Sequence, residues 1–392
     1  MHCSTIPRST SFTAAALALA ALSACADAPT VAPLAAGPSA RSAAQSAAVG
    51  GVFVSTNGAT GNAVVAFARA ADGTLTPRGS FPTGANGLGG TVDPLASQSA
   101  LVLSDDARRL YVVNAGSSSI TTFAVAGADL VQLATVPSGG TRPVSVAVSG
   151  RRLFALNAVS NAIAEFALDE NGIPASSPVT TANLATPASG ASTIGVSPDG
   201  RQVVVTERDA NAIDVFAVAP DGSLSAPVTT PSSGNVPFGF GFTPRGQVIV
   251  SEAAGAAPDG ATSSYALLSD GRLDAISSSV STHQAATCWL VVAESGRFAF
   301  VVNSASGSIS SYTVNADGSL RLVDADGRTG ISGADAKPID AGLSRDGRFL
   351  FALEAGTGTI GAFSVAPDGH LTSLPDTPGL TPASGLQGLA AY

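Results

Sequence analysis

Apolar and polar residues alternate in short runs along residues 194–228, and turn residues separate the runs. The runs Ile194–Ser197, Gln202–Thr206, Ala212–Ala217 and Leu224–Val228 have the period of two that is typical of β-strands. Pro-Asp-Gly separates the first two runs and the last two runs. Asp-Gly between alternating runs indicates a hairpin, because both turn residues tolerate positive φ. The stretch therefore predicts a four-stranded antiparallel meander.

Copies of this pattern fill the chain from Gly50 onwards, at intervals of about 45 to 50 residues, which is the length of one propeller blade. Asp-Gly or Asn-Gly marks the third turn in most copies. The first strands of successive copies are predicted to start at the following positions: Leu101, Val146, Ile194, Phe240, Leu290, Ala341 and Leu389.

The two ends of the repeat region complete each other. Val52–Asn57 has the character of a second strand with no first strand before it, and Leu386–Tyr392 has the character of a first strand with nothing after it. Joining them gives a seventh blade and removes the open edge that invites aggregation. We therefore predict an all-β, seven-bladed β-propeller of four-stranded antiparallel blades over residues 50–392.

The N-terminus has the features of an export signal. Arg8 precedes the apolar run Phe12–Leu22, which is too short to span a bilayer. The sequence Leu22-Ser23-Ala24-Cys25 resembles a bacterial lipobox, which implies removal of residues 1–24 and acylation of Cys25. An ordinary secretory signal is the alternative. Residues 25–49 are rich in Ala, Pro and Ser and predict a flexible tether. We expect a lipid-anchored protein of the bacterial cell envelope.

Composition narrows the possible partners and cofactors. The chain is 45% apolar and 12% charged with a net charge of −9, and it has no basic run, so nucleic acid is not an expected partner. Cys288 is the one thiol left after export and acylation, either a small buried hydrophobe or a reactive nucleophile. Cys and His are too few and too scattered for a zinc site, so we predict no metal. We also expect no cofactor and a monomer.

The strand–turn–strand segments VSPDGRQVVVTE (196–207) and AESGRFAFVVN (293–303) resemble the YVTN-type repeat. Residues 50–392 as a whole resemble the seven-bladed lactonase-like family, which includes 6-phosphogluconolactonases and fungal carboxymuconate cyclases. The resemblance implies a propeller fold and a lactone hydrolase or cyclase activity. Its motifs specify the blades rather than the reaction.

The catalytic motif of the family is absent from its expected positions. Enzymes of the family carry a Pro-Arg-His-like motif before the first strand of a blade. The positions that match the His are Ala100, Ser145, Thr193, Gly239, Trp289, Asp340 and Gly388, and those that match the Arg are Ser99, Val144, Ser192, Phe238, Cys288, Ile339 and Gln387. None is His or Arg, which argues against the activity of these enzymes.

Other polar residues precede the first strands, on the face that carries the long linkers. His283 is the candidate general base, because imidazole titrates near neutral pH, and Arg142 and Glu207 are candidate partners. A solvated loop histidine is the alternative. The candidate binding residues on this face are Gln284, Lys337, Gln387, Glu252 and Glu354.

A second pattern stands at the ends of the second strands, where Asn or Glu occurs in every copy. An Asn there predicts a turn cap that binds backbone amides two residues on. The Glu residues either do the same or form an acidic patch for a cation or a sugar. The loop Glu252–Ser263 is long enough to fold over the channel mouth. These positions are Asn57, Asn114, Asn157, Glu207, Glu252, Asn303 and Glu354.

Three functions fit these observations. The first is a non-catalytic, envelope-anchored propeller that binds a protein or a glycan across its loop-rich face. The second is a lactone hydrolase or cyclase with a rearranged site. The third is an oxidoreductase that uses a quinone. The absent Arg and His favour the first.

Overall fold

Thirty β-strands, arranged as seven antiparallel sheets, make up the part of the chain that the computed structural model describes, residues 48–254 and 258–392. The predicted all-β, seven-bladed propeller is confirmed. The predicted signal segment 1–24, Cys25 and most of the tether lie outside the described residues. No helix in the described ranges is long and apolar enough to cross a membrane.

Each blade contains four strands in meander order, and the sixth and seventh blades carry one additional short strand each. Blade 1 consists of β30 (Gln387–Ala391), β1 (Gly50–Ser55), β2 (Ala63–Arg69) and β3 (Leu75–Pro82), and blade 2 consists of β4 (Leu101–Leu103), β5 (Arg109–Asn114), β6 (Ser119–Ala126) and β7 (Asp129–Pro137). Blade 3 consists of β8 (Pro143–Ser149), β9 (Arg152–Asn157), β10 (Ala162–Ala167) and β11 (Thr180–Asn183). Blade 4 consists of β12 (Ala191–Val196), β13 (Gln202–Glu207), β14 (Ala212–Ala217) and β15 (Val228–Pro231). Blade 5 consists of β16 (Pro237–Phe242), β17 (Gln247–Glu252), β18 (Ala261–Leu267) and β19 (Leu273–Ser281). Blade 6 consists of β20 (Thr287–Val292), β21 (Phe298–Asn303), β22 (Ser308–Val314), β23 (Leu320–Leu322) and β24 (Gly330–Ile331). Blade 7 consists of β25 (Pro338–Leu343), β26 (Phe349–Glu354), β27 (Thr359–Val365), β28 (Leu371–Ser373) and β29 (Thr377–Pro378).

The last strand closes the ring. β30 pairs antiparallel with β1, with Leu389 opposite Val54 and Ala390 opposite Phe53. β30 also contacts β25 of blade 7 and β4 of blade 2. The innermost strands therefore form a continuous circle, as the two half-patterns at the ends of the repeat region predicted.

Local chemistry fixes the tight turns. In blade 4, Asp221 Oδ1 accepts hydrogen bonds from the amide of Ser223 at 3.0 Å and from its hydroxyl at 2.7 Å, while Gly222 has a φ of +96°. A residue with a β-carbon is strained at that φ, so glycine is required there. Turns of this kind join the first strand to the second and the third to the fourth, and they define the tight-turn face. The blade linkers and second-to-third turns form the opposite, loop-rich face.

The core lies between neighbouring blades. Each third strand contributes one aromatic ring at the same place in its blade, and every one of these rings is buried because it packs against the adjacent sheet. The seven rings are Phe67, Phe123, Phe166, Phe216, Tyr265, Tyr312 and Phe363. Their repetition holds the blades in register around the channel.

Candidate functional site

The three predicted catalytic residues lie apart in the fold. Arg142 is exposed before β8, and His283 is exposed before β20. Glu207 is fully buried at the end of β13. His283 contacts its own neighbour, with the Ser281 hydroxyl 3.3 Å from Nδ1. Within the described ranges no hydrogen bond or ion pair joins these three side chains, so they do not form a catalytic group.

The Asn and Glu residues at the ends of the second strands are all buried, and none of the Asn side chains binds the backbone amide two residues on. Asn114 Nδ2 donates to the Thr121 hydroxyl at 2.9 Å, and Asn303 Nδ2 donates to the Ser310 hydroxyl at the same distance. The turn-cap prediction is therefore wrong in its geometry. In blades 2 and 6 the buried amide instead ties the second strand to the third, and in blade 3 Asn157 Nδ2 donates to the Ser138 carbonyl of the preceding linker at 3.0 Å.

The predicted acidic patch does not form on the surface, because its carboxyl groups are inside the blades. Glu252 accepts hydrogen bonds from the hydroxyls of Ser263 and Ser279. Glu354 accepts one from Thr359, and burial raises the pKa of its carboxyl group. Neither residue can contact a partner on the loop-rich face. The loop after Glu252 includes residues 255–257, which lie outside the described residues.

The remaining predicted binding residues divide by exposure. Gln284 is buried and donates to the Asp326 carbonyl at 2.8 Å. Gln387 is fully buried at the channel. Lys337 is exposed, with a φ of +43°, immediately before β25. Of the three, Lys337 is the side chain that a partner could reach.

Residues 93–100 lie across the loop-rich end of the central channel, and we call them the channel plug. The carbonyl of Ser97 accepts hydrogen bonds from Trp289 Nε1 of blade 6 and Gln387 Nε2 of blade 1, both at 2.9 Å. The carbonyl of Ala96 accepts from Ser192 Oγ at 2.8 Å and from an Arg208 Nη1 at 3.1 Å, both of blade 4. These bonds close one end of the channel with the protein's own chain.

Gln98 forms the inner end of the channel plug. Its Nε2 donates to the carbonyls of Phe240 and Leu290 at 3.2 and 2.9 Å, and its Oε1 accepts from the Leu290 amide at 2.8 Å. Gly239 is required beside it, because a β-carbon there would lie 2.1 Å from Gln98 Oε1. The side chain thus joins two neighbouring blades at the channel axis.

Two carboxyl groups with perturbed pKa values lie at the plugged end. Asp93 as a residue is partly exposed, but its carboxyl group is buried, and this burial raises the pKa of the carboxyl group to about 7 against the opposing effects of the Gln387 hydrogen bond and the positive charge of Arg208. Asp340 is buried and accepts from the amides of Ala341 and Leu389 at 2.9 and 3.1 Å. Burial raises its pKa to about 7 as well.

The tight-turn end of the channel holds a cavity of about 390 Å³. Its walls combine apolar residues such as Phe240, Leu290 and Tyr392 with polar residues, among them Gln98. Arg345 donates to the Asp105 carbonyl at the rim and so joins the first turns of blades 7 and 2. The channel is therefore a cup that opens on the tight-turn face.

Burial determines the chemistry of Cys288. Its side chain is 8% exposed, and burial raises the pKa of the thiol. The thiolate is the reactive form, so the native protein keeps this group unreactive.

Sequence reasoning missed Asp93, Gln98 and Arg208. The signal that could have found the first two is the linker of residues 83–100, which is much longer than the linker of residues 138–142 between the next two blades. Linkers beyond the usual length are often functional. Arg208 had no signal of its own, because it reads as an ordinary residue of a second-to-third turn.

Comparison with known proteins agrees with this fold. The family described as "Lactonase, 7-bladed beta-propeller" matches residues 56–174, 173–256 and 250–385. These matches cover most of the chain, and the protein belongs to this family. The search of curated proteins gives no match.

Solved structures with the same fold include three bacterial proteins. A candidate 6-phosphogluconolactonase from Bacteroides uniformis has 21% identity and a TM-score of 0.67, covering 86% of this chain and 98% of that one. The periplasmic gluconolactonase of Pseudomonas aeruginosa has 21% identity and a TM-score of 0.66 over the same shares. A protein from Lactobacillus plantarum has 18% identity and a TM-score of 0.69, covering 88% and 99%. At these identities the likeness establishes the fold.

Proposed function

We propose that this protein hydrolyses a lactone at the loop-rich end of its channel, with Asp93 as the general base and Arg208 as the cation beside it. One observation carries the proposal: a carboxyl group with a pKa of about 7 lies at the channel end, within the electrostatic influence of the Arg208 guanidinium. A general base works best when its pKa is near the operating pH. The family to which the chain belongs supports the reaction class.

The reaction needs little beyond these two groups. Asp93 takes a proton from water as the oxygen of that water bonds to the lactone carbonyl carbon. Arg208 stabilises the negative charge that develops on the carbonyl oxygen. The ring C–O bond then breaks, and the ring oxygen takes the proton from Asp93 to give a hydroxy acid.

An unphosphorylated sugar lactone is the substrate class we favour. Two similar structures are described as a candidate 6-phosphogluconolactonase and a gluconolactonase, respectively. A phosphate group would call for additional cations, and Lys337 is the sole lysine of the sequence. If Cys25 carries the lipid that its sequence context predicts, the enzyme acts in the cell envelope, where phosphorylated sugars are scarce.

The test is hydrolysis of glucono-δ-lactone and related lactones, measured as acid release above the uncatalysed rate. We expect turnover by the wild type, and a loss of about 10²-fold or more in kcat for Asp93→Asn. Arg142→Ala and His283→Ala are the matched controls, and both should keep the wild-type rate. Equal rates for Asp93→Asn and the wild type would refute the assignment.

Ligand binding without catalysis is the second candidate function, and the cavity at the tight-turn end favours it. A volume of about 390 Å³ lies within the size range of small-molecule sites, and the walls offer both apolar and polar groups to a ligand. A screen of small amphipathic ligands by thermal shift tests this role. The predicted protein or glycan partner on the loop-rich face is tested separately by pull-down from envelope extract.

A further inference from the structure

In three blades the end of the second strand and its diagonal neighbour on the third strand form a buried polar pair. In blades 2 and 6 the pair is an amide with a hydroxyl, Asn114 with Thr121 and Asn303 with Ser310. In blade 5 the pair is a carboxyl with a hydroxyl, because Glu252 accepts from Ser263. Each of these pairs can satisfy its own hydrogen bonds.

Blade 4 differs from blades 2, 5 and 6, because it has two carboxyl groups at these two positions. Glu207 is opposite Ala212 and Asp214 is opposite Val205, so both acidic side chains are on the same face of the sheet. Both residues are 0% exposed. The equivalent of Asp214 in blade 5 is Ser263, which is opposite Val250.

The hydrogen bonds of this pair are incomplete. Asp214 accepts from the amide of Ala185 at 2.8 Å and from the hydroxyl of Thr229 at 2.5 Å. Neither carboxyl oxygen of Glu207 has a hydrogen-bond donor within normal geometry, although both are buried. A buried carboxylate without partners costs several kcal/mol, so a buried pair needs a proton or a cation between its members.

We propose that Glu207 and Asp214 bind a hard divalent cation, Ca²⁺ in the first place, inside blade 4. Carboxylate oxygens are the ligands that Ca²⁺ prefers, and hydroxyl or carbonyl oxygens commonly complete its shell. Ser189 is buried next to Glu207 and supplies a further oxygen. This pair has only two acidic groups, and clusters of three or more potential ligands of the His, Cys, Asp and Glu types are absent from the described ranges.

The position of the pair allows a cation to reach it. Glu207 ends β13 at the loop-rich face, and residues 185–188 of the blade linker are exposed. The amide of Ala185 in that linker already contacts Asp214, so a cation would also anchor the linker.

The test uses the full chain, freed of metal with a chelator, and measures thermal unfolding with and without excess CaCl₂. We expect Ca²⁺ to raise the Tm of the wild type by about 3 °C or more. Calorimetric titration should show one Ca²⁺ bound per chain, with release of a proton. MgCl₂ should have a smaller effect, because Mg²⁺ demands stricter geometry.

The chain supplies its own matched variants. Asp214→Ser gives blade 4 the carboxyl–hydroxyl pair that blade 5 already has, so it should fold and should lose the response to Ca²⁺. Glu252→Gln in blade 5 should keep the full response. The proposal is overturned if Ca²⁺ leaves the wild-type Tm unchanged, or if Asp214→Ser responds as the wild type does. These readouts do not depend on lactone hydrolysis, so the two proposals fail separately.

Discussion

Polar side chains at the loop-rich end of the channel serve mainly to hold the channel plug. Trp289, Gln387 and Ser192 all bind its backbone carbonyls, and Gln98 returns three hydrogen bonds to the blades. Asp93 is the exception, because it combines partial exposure with a raised pKa. The site chemistry therefore depends on one residue that the surrounding structure keeps in place.

The pH dependence of lactone hydrolysis tests the role of Asp93. The base must be ionised to accept a proton, and its pKa is raised to about 7. We expect kcat/KM to fall about tenfold for each pH unit below that value, after subtraction of the uncatalysed rate. The range from about pH 5 to about pH 8 includes this pKa, so an activity that stays constant across it would contradict the assignment.

Replacement of Gln98 tests the structural role of the channel plug. Gln98→Leu leaves the carbonyl of Phe240 and both backbone groups of Leu290 without their partner. Since each unsatisfied buried group costs about 1 to 3 kcal/mol, we expect the free energy of unfolding to fall by about 3 kcal/mol or more. Urea denaturation measures this change, and the exposed Lys337→Gln serves as control. A loss equal to that of the control would mean that the plug contributes little to stability.

At the level of secondary-structure elements, the final strand has the largest effect on the fold. β30 is the inner strand of blade 1, and its partner β1 has no other inner neighbour. Tyr392 extends this contact, since its amide donates to the Gly51 carbonyl at 3.0 Å and its own carbonyl accepts from Arg69 Nε at the same distance. Blade 1 therefore forms only when the two ends of the repeat region meet.

Deletion of residues 387–392 tests this closure. The deletion leaves β1 with an unpaired inner edge and removes buried Leu389 from the core. We expect the truncated protein to aggregate or unfold, because exposed strand edges pair with other chains. Size-exclusion chromatography and circular dichroism provide the measurement, with the conservative Ala391→Ser as control. A soluble, folded monomer after the deletion would contradict the closure argument.

Strand pairing and ring closure could be predicted from the sequence, because both depend on local period and on turns such as Asp221-Gly222. Three of the positions that were aligned with the catalytic motif of the family, Trp289, Asp340 and Gln387, do lie at the channel. Asp93 could not be assigned in this way. Its hydrogen-bond partner Gln387 is 294 residues away, and residues 93–98 have no counterpart in the other blades. Contacts of this range follow from the folded ring and not from any local pattern.

At the scale of the whole molecule, two groups of carboxyls respond to pH in opposite directions. Burial raises the pKa of both Asp93 and Asp340 to about 7, from 3.8. Their neutral forms suit the folded state, so their contribution to stability is full below pH 3.8 and is lost as pH rises through 7. The turn residues Asp72 and Asp221 have lowered pKa values, because each accepts hydrogen bonds from the residue two positions on. Their contribution is lost as pH falls below 3.8.

These opposite responses predict a maximum of stability in mild acid. We expect the Tm to be highest near about pH 4, to decline up to about pH 7 and to level off above it. Asp340→Asn removes one of the two buried acids, and asparagine tolerates the φ of +51° at this position. This variant should show a smaller decline between about pH 4 and about pH 7, the range between the ordinary and the raised pKa. Thermal unfolding across the pH range measures both curves, and an unchanged slope in Asp340→Asn would contradict the assignment.

The channel plug makes the central bore blind. A solute in the cavity between Gln98 and the tight-turn face has a single mouth for arrival and departure, so it cannot pass through the ring. Its dwell time would then depend on how easily that mouth widens, and the contact of Arg345 with the Asp105 carbonyl bridges the rim at this point. The plug therefore separates a substrate at the loop-rich end from a small molecule in the cavity. The two ends of the propeller can bind ligands independently of each other.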